Sequence, residues 1–206
     1  MSFDHLFWGV HMIPHASFMN SLEGFGNDYK IRNGESVKAE YPDDVTLTWN
    51  PDFPDHTIMT DCLNNISSEI IVSQRVQEFL AKRNLPDVEY LPVKVFNHKR
   101  RPLKTPYYVV HPTQVLDCLD LDACGITWDR RGTEAEEIEQ FVVDPAKCHD
   151  LPPLFRLRPM QYYVVLSREL SEALDAFGVE GMGWVEPHKL ADMWMLEPGL
   201  QYFEED

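Results

Sequence analysis

The most regular pattern of apolar and polar positions in the chain occurs twice. Residues 70–72 and residues 164–166 are all apolar, and each run is followed directly by a serine, Ser73 or Ser167. Beyond each serine, apolar residues recur with the three- and four-residue spacing of one helix face. They are Val76, Phe79 and Leu80 in the first copy and Leu170, Ala173, Leu174 and Phe177 in the second. The pattern predicts a buried strand that leads directly into an amphipathic helix.

The residues at the ends of the two predicted helices agree with this interpretation. Ser73 and Ser167 are predicted N-caps, because a serine hydroxyl can accept hydrogen bonds from the free N–H groups of the first turn. Asn84 and Gly178 each lie eleven residues further on and tolerate the left-handed conformation that commonly ends a helix. The second strands are predicted at residues 88–93 and 182–185. The chain therefore contains two predicted strand–helix–strand units.

Between and before these units the pattern predicts short strands joined by turns. β-Branched and aromatic residues at 90–96 and 106–111 predict two antiparallel strands, with residues 97–105 forming the tip that joins them. Asn33 followed by Gly34 is a favourable pair for a tight turn. This pair predicts a hairpin near residue 33.

The predicted elements together define the fold class. An acidic helix is predicted to begin at Thr133, where Glu136 would complete a capping box. With the two strand–helix–strand units, this predicts an α+β fold, an antiparallel or mixed sheet with short helices packed on it. The strands are spaced too irregularly for a doubly wound α/β fold. Residues 1–50 are predicted to form an N-terminal extension or small lobe, and residues 51–206 one compact unit.

Charge restricts the classes of partner. The 206 residues include 34 acidic and 18 basic ones, for a net charge of −16, and 44% are hydrophobic, enough for a core. Such acidity argues against binding nucleic acid or an anionic membrane surface. It favours fast association with a basic protein partner, although the same charge could serve only to keep the chain in solution.

The distribution of apolar residues also bears on location. The first twenty residues have no basic segment, and their longest apolar run, residues 6–10, is too short for a secretion signal. No stretch approaches the ~18 apolar residues of a membrane span. We expect a cytoplasmic protein.

Motifs for catalysis, metals or cofactors are missing from the sequence. It has no G-x-S-x-G, phosphate-binding loop or dinucleotide fingerprint. The four cysteines form no C-x-x-C pair and are expected to be free, buried thiols. His11 and His15 have the spacing of a zinc pair on a helix, but Pro14 between them disfavours a helix there. We expect no cofactor and no metal.

Three charged clusters are candidate contact sites. The acidic ones are Asp117, Asp120 and Asp122, and Glu134, Glu136 and Glu137; the basic one is Lys99, Arg100 and Arg101. If residues 120–122 form a strand, Asp120 and Asp122 share a face. Each cluster is interpreted either as a solvated surface or as a patch that meets a partner. The alternative is a small cytosolic enzyme with an acidic cleft near Asp117–Asp122.

Several short segments also resemble a bacterial immunity-protein family of polymorphic toxin systems. They are residues 154–157 and 162–167, the segment 178–187 with the sequence GVEGMGWVEP, and, earlier in the chain, residues 72–73, 88–93, 107–110 and 116–120. The resemblance covers about residues 50–190. It implies a cytoplasmic protein that binds and neutralises a toxin delivered by neighbouring cells, and it supplies no catalytic motif.

Overall fold

The computed structural model describes residues 3–10 and 13–189. The strands are β1 His5–Val10, β2 Phe18–Glu23, β3 Thr46–Trp49, β4 Cys62–Asn65, β5 Ile71–Ser73, β6 Val88–Phe96, β7 Tyr107–Pro112, β8 Val115–Asp117, β9 Ile126–Trp128, β10 Ala135–Ile138, β11 Leu154–Arg158, β12 Met160–Ser167 and β13 Met182–Val185. The helices are α1 Asp28–Arg32, α2 Gln74–Ala81, α3 Leu121–Cys124 and α4 Arg168–Phe177, with a 3-10 turn at Pro187–Lys189. The α+β prediction is confirmed. None of the helices in the described part is long and apolar enough to cross a membrane.

Six strands close into a barrel in the order β2-β3-β6-β7-β5-β4. On β6, buried Leu91, Val93 and Val95 alternate with exposed Pro92 and Lys94, the period of two that places every second side chain on the same face. All six strands contribute to one buried apolar cluster that fills the barrel. Its members include Met19, Leu47, Leu63, Ile71, Leu91 and Val109. The antiparallel pairing of β6 with β7, expected from the sequence, is confirmed.

The other five strands form an open sheet in the order β13-β1-β12-β11-β8. Both faces of this sheet are covered, so its strands are apolar on both sides. On β12, Val164 and Leu166 belong to the cluster shared with α2, α4 and the barrel, whereas Val165 belongs to the cluster on the opposite face. Helices α2 and α4 therefore lie between sheet and barrel, and a separate segment must cover the far face.

The two predicted strand–helix–strand units are present, each with a third strand inserted. β7 lies between β5 and β6, and β1 lies between β12 and β13; all four pairings are antiparallel. The outer strands of each unit are therefore parallel to each other, which is a split β-α-β arrangement. The helices of the two units meet where Phe79 stacks on Phe177, with 4.2 Å between ring centroids.

The helix ends confirm some of the predicted caps. Gly178 is the left-handed C-cap of α4, with a φ of 71°, whereas Asn84 is left-handed, with a φ of 51°, but lies two residues beyond Lys82, the C-cap of α2. The Ser167 hydroxyl accepts from the Leu170 N–H at 3.2 Å, as expected of an N-cap. Ser73 occupies the equivalent position but makes no capping hydrogen bond. Its hydroxyl donates instead to Asp61 Oδ1 at 2.6 Å, so its predicted capping bond is wrong.

Two other local predictions are wrong because long-range packing outweighs the local signal. No hairpin forms at Asn33 and Gly34; the preceding residues are helix α1, whose Ile31 is fully buried in the barrel core. No helix begins at Thr133. The segment is strand β10, because burial of Ala135 and Ile138 and pairing with β9 favour an extended backbone.

The first fifty residues contribute to both sheets. β1 lies inside the five-stranded sheet, and β2 and β3 are neighbours in the barrel. The division into residues 1–50 and 51–206 stays a prediction about how the chain is organised.

Candidate functional site

The far face of the five-stranded sheet is covered by residues 117–144, here called the acidic cap. Buried apolar side chains attach the cap to the sheet, where they pack with Phe7, Phe155 and Val165. Those of the cap are Cys118, Leu119, Cys124, Ala135 and Ile138. Since the apolar side chains point to the sheet, the polar ones are left at the surface.

The surface of the cap is strongly negative. Its acidic residues are Asp117, Asp120, Asp122, Asp129, Glu134, Glu136, Glu137, Glu139 and Asp144, and its basic residues are Arg130 and Arg131. All six predicted acidic site residues are exposed. Charges of one sign collected on one surface create a field that attracts an oppositely charged partner and repels a like one.

Asp117 is the member of the cap whose charge is most nearly balanced. It ends the edge strand β8, and both its carboxylate oxygens lie 3.3 Å from Lys147 Nζ. The same ammonium donates to the Leu119 carbonyl at 2.9 Å. Asp117 therefore helps to hold the cap to the chain that follows it.

Asp120 and Asp122 do not share a strand face, and that expectation is wrong. Asp120 is the N-cap of α3, where its Oδ1 accepts from the Ala123 N–H at 3.1 Å. Asp122 lies in the first turn of α3. It is exposed and has no ion-pair or hydrogen-bond partner within the described ranges. Because the two carboxylates are exposed and do not face each other across a shared strand face, the geometry gives an acid–base pair no support.

Glu134, Glu136 and Glu137 lie on or beside β10 in an antiparallel ribbon with β9. The register shifts between Ala135 and Glu137, and in consequence Glu136 and Glu137 are both exposed. The turn between the strands is fixed by Asp129. Its carboxylate accepts from the backbone N–H groups of Thr133 at 2.6 Å and Glu134 at 2.9 Å, which with a further bond from Arg131 lowers its pKa.

The ribbon also carries an aromatic feature that the sequence analysis did not identify. Trp128, the last residue of β9, is 39% exposed, and Tyr162 of β12 is 38% exposed. Trp128 is paired with Ala135, whose N–H donates to the Pro159 carbonyl three residues before Tyr162. The sequence signal that could have identified Trp128 is its position at the end of a strand, directly before the Asp-Arg-Arg-Gly turn.

The basic cluster lies elsewhere on the molecule. Lys99, Arg100 and Arg101 are exposed in the loop between β6 and β7, where Asn97 Oδ1 accepts from the N–H groups of Lys99 and Arg101. β6 and β7 are paired over six residues, or roughly 17 Å at about 3.4 Å per residue. The chain enters β8 and the cap from the opposite end of this hairpin, so the structure does not bring the acidic and basic clusters together.

Two ionic clusters join the barrel to the sheet, and in the first a buried Asp61 pairs with an exposed Arg75. Asp61 accepts from Ser73, from both ends of the Arg75 guanidinium and from the Glu180 N–H. Burial alone would raise the pKa of Asp61, but the hydrogen bonds from Arg75, Ser73 and Glu180 outweigh burial and lower it.

Glu69 and Arg156 form the second junction, and both are at least 95% buried. Arg156 donates to the carbonyls of Pro112, Gln161 and Arg32 at 3.1, 2.8 and 3.4 Å, whereas its distance to the Glu69 carboxylate is 4.0 Å. Burial raises the pKa of Glu69 to about 7, against the attraction of Arg156. The Asp61 and Glu69 clusters both connect the barrel to the sheet, and this structural role accounts for their ion pairs and hydrogen bonds.

Metal and thiol chemistry find little support in the described part of the chain. It contains no cluster of His, Cys, Asp and Glu able to hold a metal. His15 interacts with the Asp55 carbonyl, and His11 lies outside the described residues. Cys62, Cys118 and Cys124 are free and buried and Cys148 is half-buried; burial raises the pKa of Cys62 to about 12, which leaves its thiol unreactive.

Comparison with known protein families identifies the family of this chain. No curated protein is significantly similar to the chain. The model of the immunity protein family (Imm11) matches residues 11–189, which include the barrel, the strand–helix–strand segments of both units without the inserted strand β1, and the whole acidic cap. The chain belongs to this immunity protein family.

Proposed function

We propose that the protein is an immunity protein that binds a bacterial toxin domain in the cytoplasm and neutralises it by forming a stoichiometric complex. The family supports the immunity role. The geometry adds a candidate contact surface, the acidic cap, with nine acidic and two basic side chains over residues 117–144. The proposal rests on this excess of negative charge on one outer face of the protein. Such a face favours a toxin with a basic face.

The position of the cap suits it to binding. Its apolar side is fixed to the sheet, so its outer side chains are presented from a backbone that the sheet holds in place. A surface that is ordered before binding loses less conformational entropy when the complex forms. Opposite charges on the partner would accelerate association, because they steer the two proteins together before contact.

Neutralisation of the toxin by binding requires no enzymatic reaction by this protein. Asp117 is paired with Lys147 and Asp120 caps α3, so neither is arranged as a catalytic acid or base. The alternative is an enzymatic antidote with an active site near these residues, which would protect the cell without forming a complex.

The test is co-expression with the toxin domain encoded beside the immunity gene. We expect restored growth and a stable one-to-one complex on size-exclusion chromatography. A reversal of the basic loop, Lys99→Glu with Arg101→Glu, is the control, and it should still protect and form the complex. Protection without a complex would favour an enzymatic antidote, and failure to protect would contradict the immunity role.

A further inference from the structure

We propose that Trp128, flanked by Tyr162, is the anchor of the acidic cap and binds a lysine or arginine side chain on the basic face of the toxin. This inference rests on the proposed function and names the chemistry of its contact. It is carried by the exposed ring of Trp128 on a negatively charged surface, together with the exposed Tyr162, whose own ring packs on Tyr163.

Exposed aromatic rings distinguish the ribbon within the cap. A tryptophan at 39% exposure presents a large apolar face to solvent. Tryptophan, tyrosine and arginine dominate the few residues that supply most of the affinity in protein interfaces. Tyr162 follows Pro159 by three residues, and the Pro159 carbonyl accepts from the Ala135 N–H of the ribbon.

The chemistry of this surface favours a cation over an apolar partner. A lysine or arginine over an indole face is attracted by the ring quadrupole, and indole is the best of the aromatic side chains for this. Residues 129–137 of the ribbon carry four acidic side chains and two basic ones, Arg130 and Arg131 of the turn, so their net charge is −2 and the acidic side chains are in excess. A cation on the ring would therefore also be attracted by these carboxylates.

The backbone beneath Trp128 is held from several sides. Its strand partner Ala135 is buried, and Ile138 further along β10 packs in the same core. The Asp129 N–H donates to the Glu134 carbonyl at 2.9 Å, and the Asp129 carboxylate holds the turn. The ring thus stands on an ordered ribbon, which reduces the entropy lost on binding.

The other exposed aromatic residues lack this setting. Phe177 is stacked on Phe79 and lies under Arg75, so its face is already occupied. Tyr29 is 48% exposed on α1, beside the barrel, where Lys30 pairs with Glu40 and Arg32 with Asp28. Tyr29 therefore provides a matched control that is aromatic and exposed but outside the cap.

The experiment measures affinity for the toxin domain encoded beside the immunity gene, by calorimetry. Trp128→Ala should weaken binding at least tenfold. Trp128→Phe, which keeps an aromatic face, should lose less than Trp128→Ala, and Tyr29→Ala should stay within twofold of the parent. Thermal unfolding of each variant separates lost binding from lost folding, and Trp128→Phe serves if Trp128→Ala unfolds.

The outcomes separate this inference from the proposed function. If Trp128→Ala and Trp128→Phe both bind the toxin as tightly as the parent does, Trp128 is not the anchor and the immunity role stands. If both variants are folded and Trp128→Phe binds as weakly as Trp128→Ala, the proposed contact between an aromatic ring and a cation is wrong. If the parent does not bind the toxin, the proposed function fails and this inference fails with it.

Discussion

Ser73 and Ser167 occupy equivalent positions of the two units, yet their hydroxyl groups bind different partners. Both directly precede a helix, and the sequence gives both the same local signal. Only Ser167 caps its helix. Ser73 is instead drawn to Asp61, twelve residues earlier in the chain, which is itself fixed by Arg75. A local pattern identifies the start of a helix, but it cannot show that a buried carboxylate will compete for the capping hydroxyl.

The two serines give a first prediction. Ser167→Ala should lower the free energy of unfolding by about 1 kcal/mol, the usual value of a lost N-cap. Ser73→Ala should cost about 1–2 kcal/mol, because it removes one hydrogen bond to a buried carboxylate. Urea denaturation measures both. In an Asp61→Asn background the effect of Ser73→Ala should shrink while that of Ser167→Ala is unchanged; equal effects in both backgrounds would contradict the assignment.

Glu69 gives a second prediction at this scale. Because burial raises its folded-state pKa from 4.5 to about 7, its ionisation costs more in the folded protein than in the unfolded chain. The free energy of unfolding should fall as pH rises from about 4.5 to about 7, by on the order of 1–3 kcal/mol. The groups that act on this carboxyl are Arg156, Arg32 and Asp28.

Glu69→Gln should remove this contribution. The variant should therefore gain stability relative to the parent as pH rises from 5 to 8. Denaturant unfolding at pH 5, 6, 7 and 8 gives the difference between the two proteins, which cancels the titration of groups that they share. A difference that is constant over this range would show that Glu69 does not titrate there.

At the scale of elements, the predictions that held were those with a strong local pattern. β5, α2, β12 and α4 were located correctly. Their signals were the three-residue apolar runs, the apolar residues along one face of each helix and the residues near the helix ends. The insertion of β1 could not be predicted, because β1 reaches its place between β12 and β13 from the other end of the chain. Ile31 and Ala135 adopt their conformations because of the cores into which they pack, and no neighbouring residue signals those cores.

The close approach of β4 to the segment before β13 gives a third prediction. A methyl group on Gly181 would lie 2.7 Å from the Cys62 carbonyl oxygen, whereas one on Gly178 would meet nothing within 4 Å. Both glycines have positive φ. Gly178→Ala should therefore cost about 1 kcal/mol from left-handed strain alone. Gly181→Ala should cost about 2–4 kcal/mol, because backbone must also move. Equal losses in thermal unfolding would contradict this contact.

At the scale of the whole molecule, charge is distributed unevenly over the fold. The net charge of −16 and the individual clusters are evident from the sequence. That Asp122 and Glu137 share the outer side of one cap, with the basic loop on another part of the molecule, depends on strand order and required the structure. The sequence also identified the candidate acidic residues but missed Trp128, since a lone tryptophan in a short strand is usually buried.

The central claim is that the acidic cap is the surface that meets the toxin, and association kinetics test it most directly. Asp122→Lys with Glu137→Lys reverses two exposed cap residues and leaves the Asp120 cap of α3 intact. Asp43→Lys with Asp44→Lys is the control, because it changes the net charge equally at an exposed pair outside the cap. Association rates with the toxin domain are measured from about 20 to 300 mM salt.

The cap reversal should slow association about tenfold at the lowest salt and flatten its salt dependence, since surface charges act mainly on the association rate. The control should slow association less than the cap reversal and stay within about twofold of the parent above about 0.1 M salt, where the Debye length has fallen to about 10 Å and distant charges are largely screened. Equal slowing by both variants would mean that only the net charge matters. A parent rate that is insensitive to salt, with neither variant changed, would contradict the claim that the acidic cap meets the toxin.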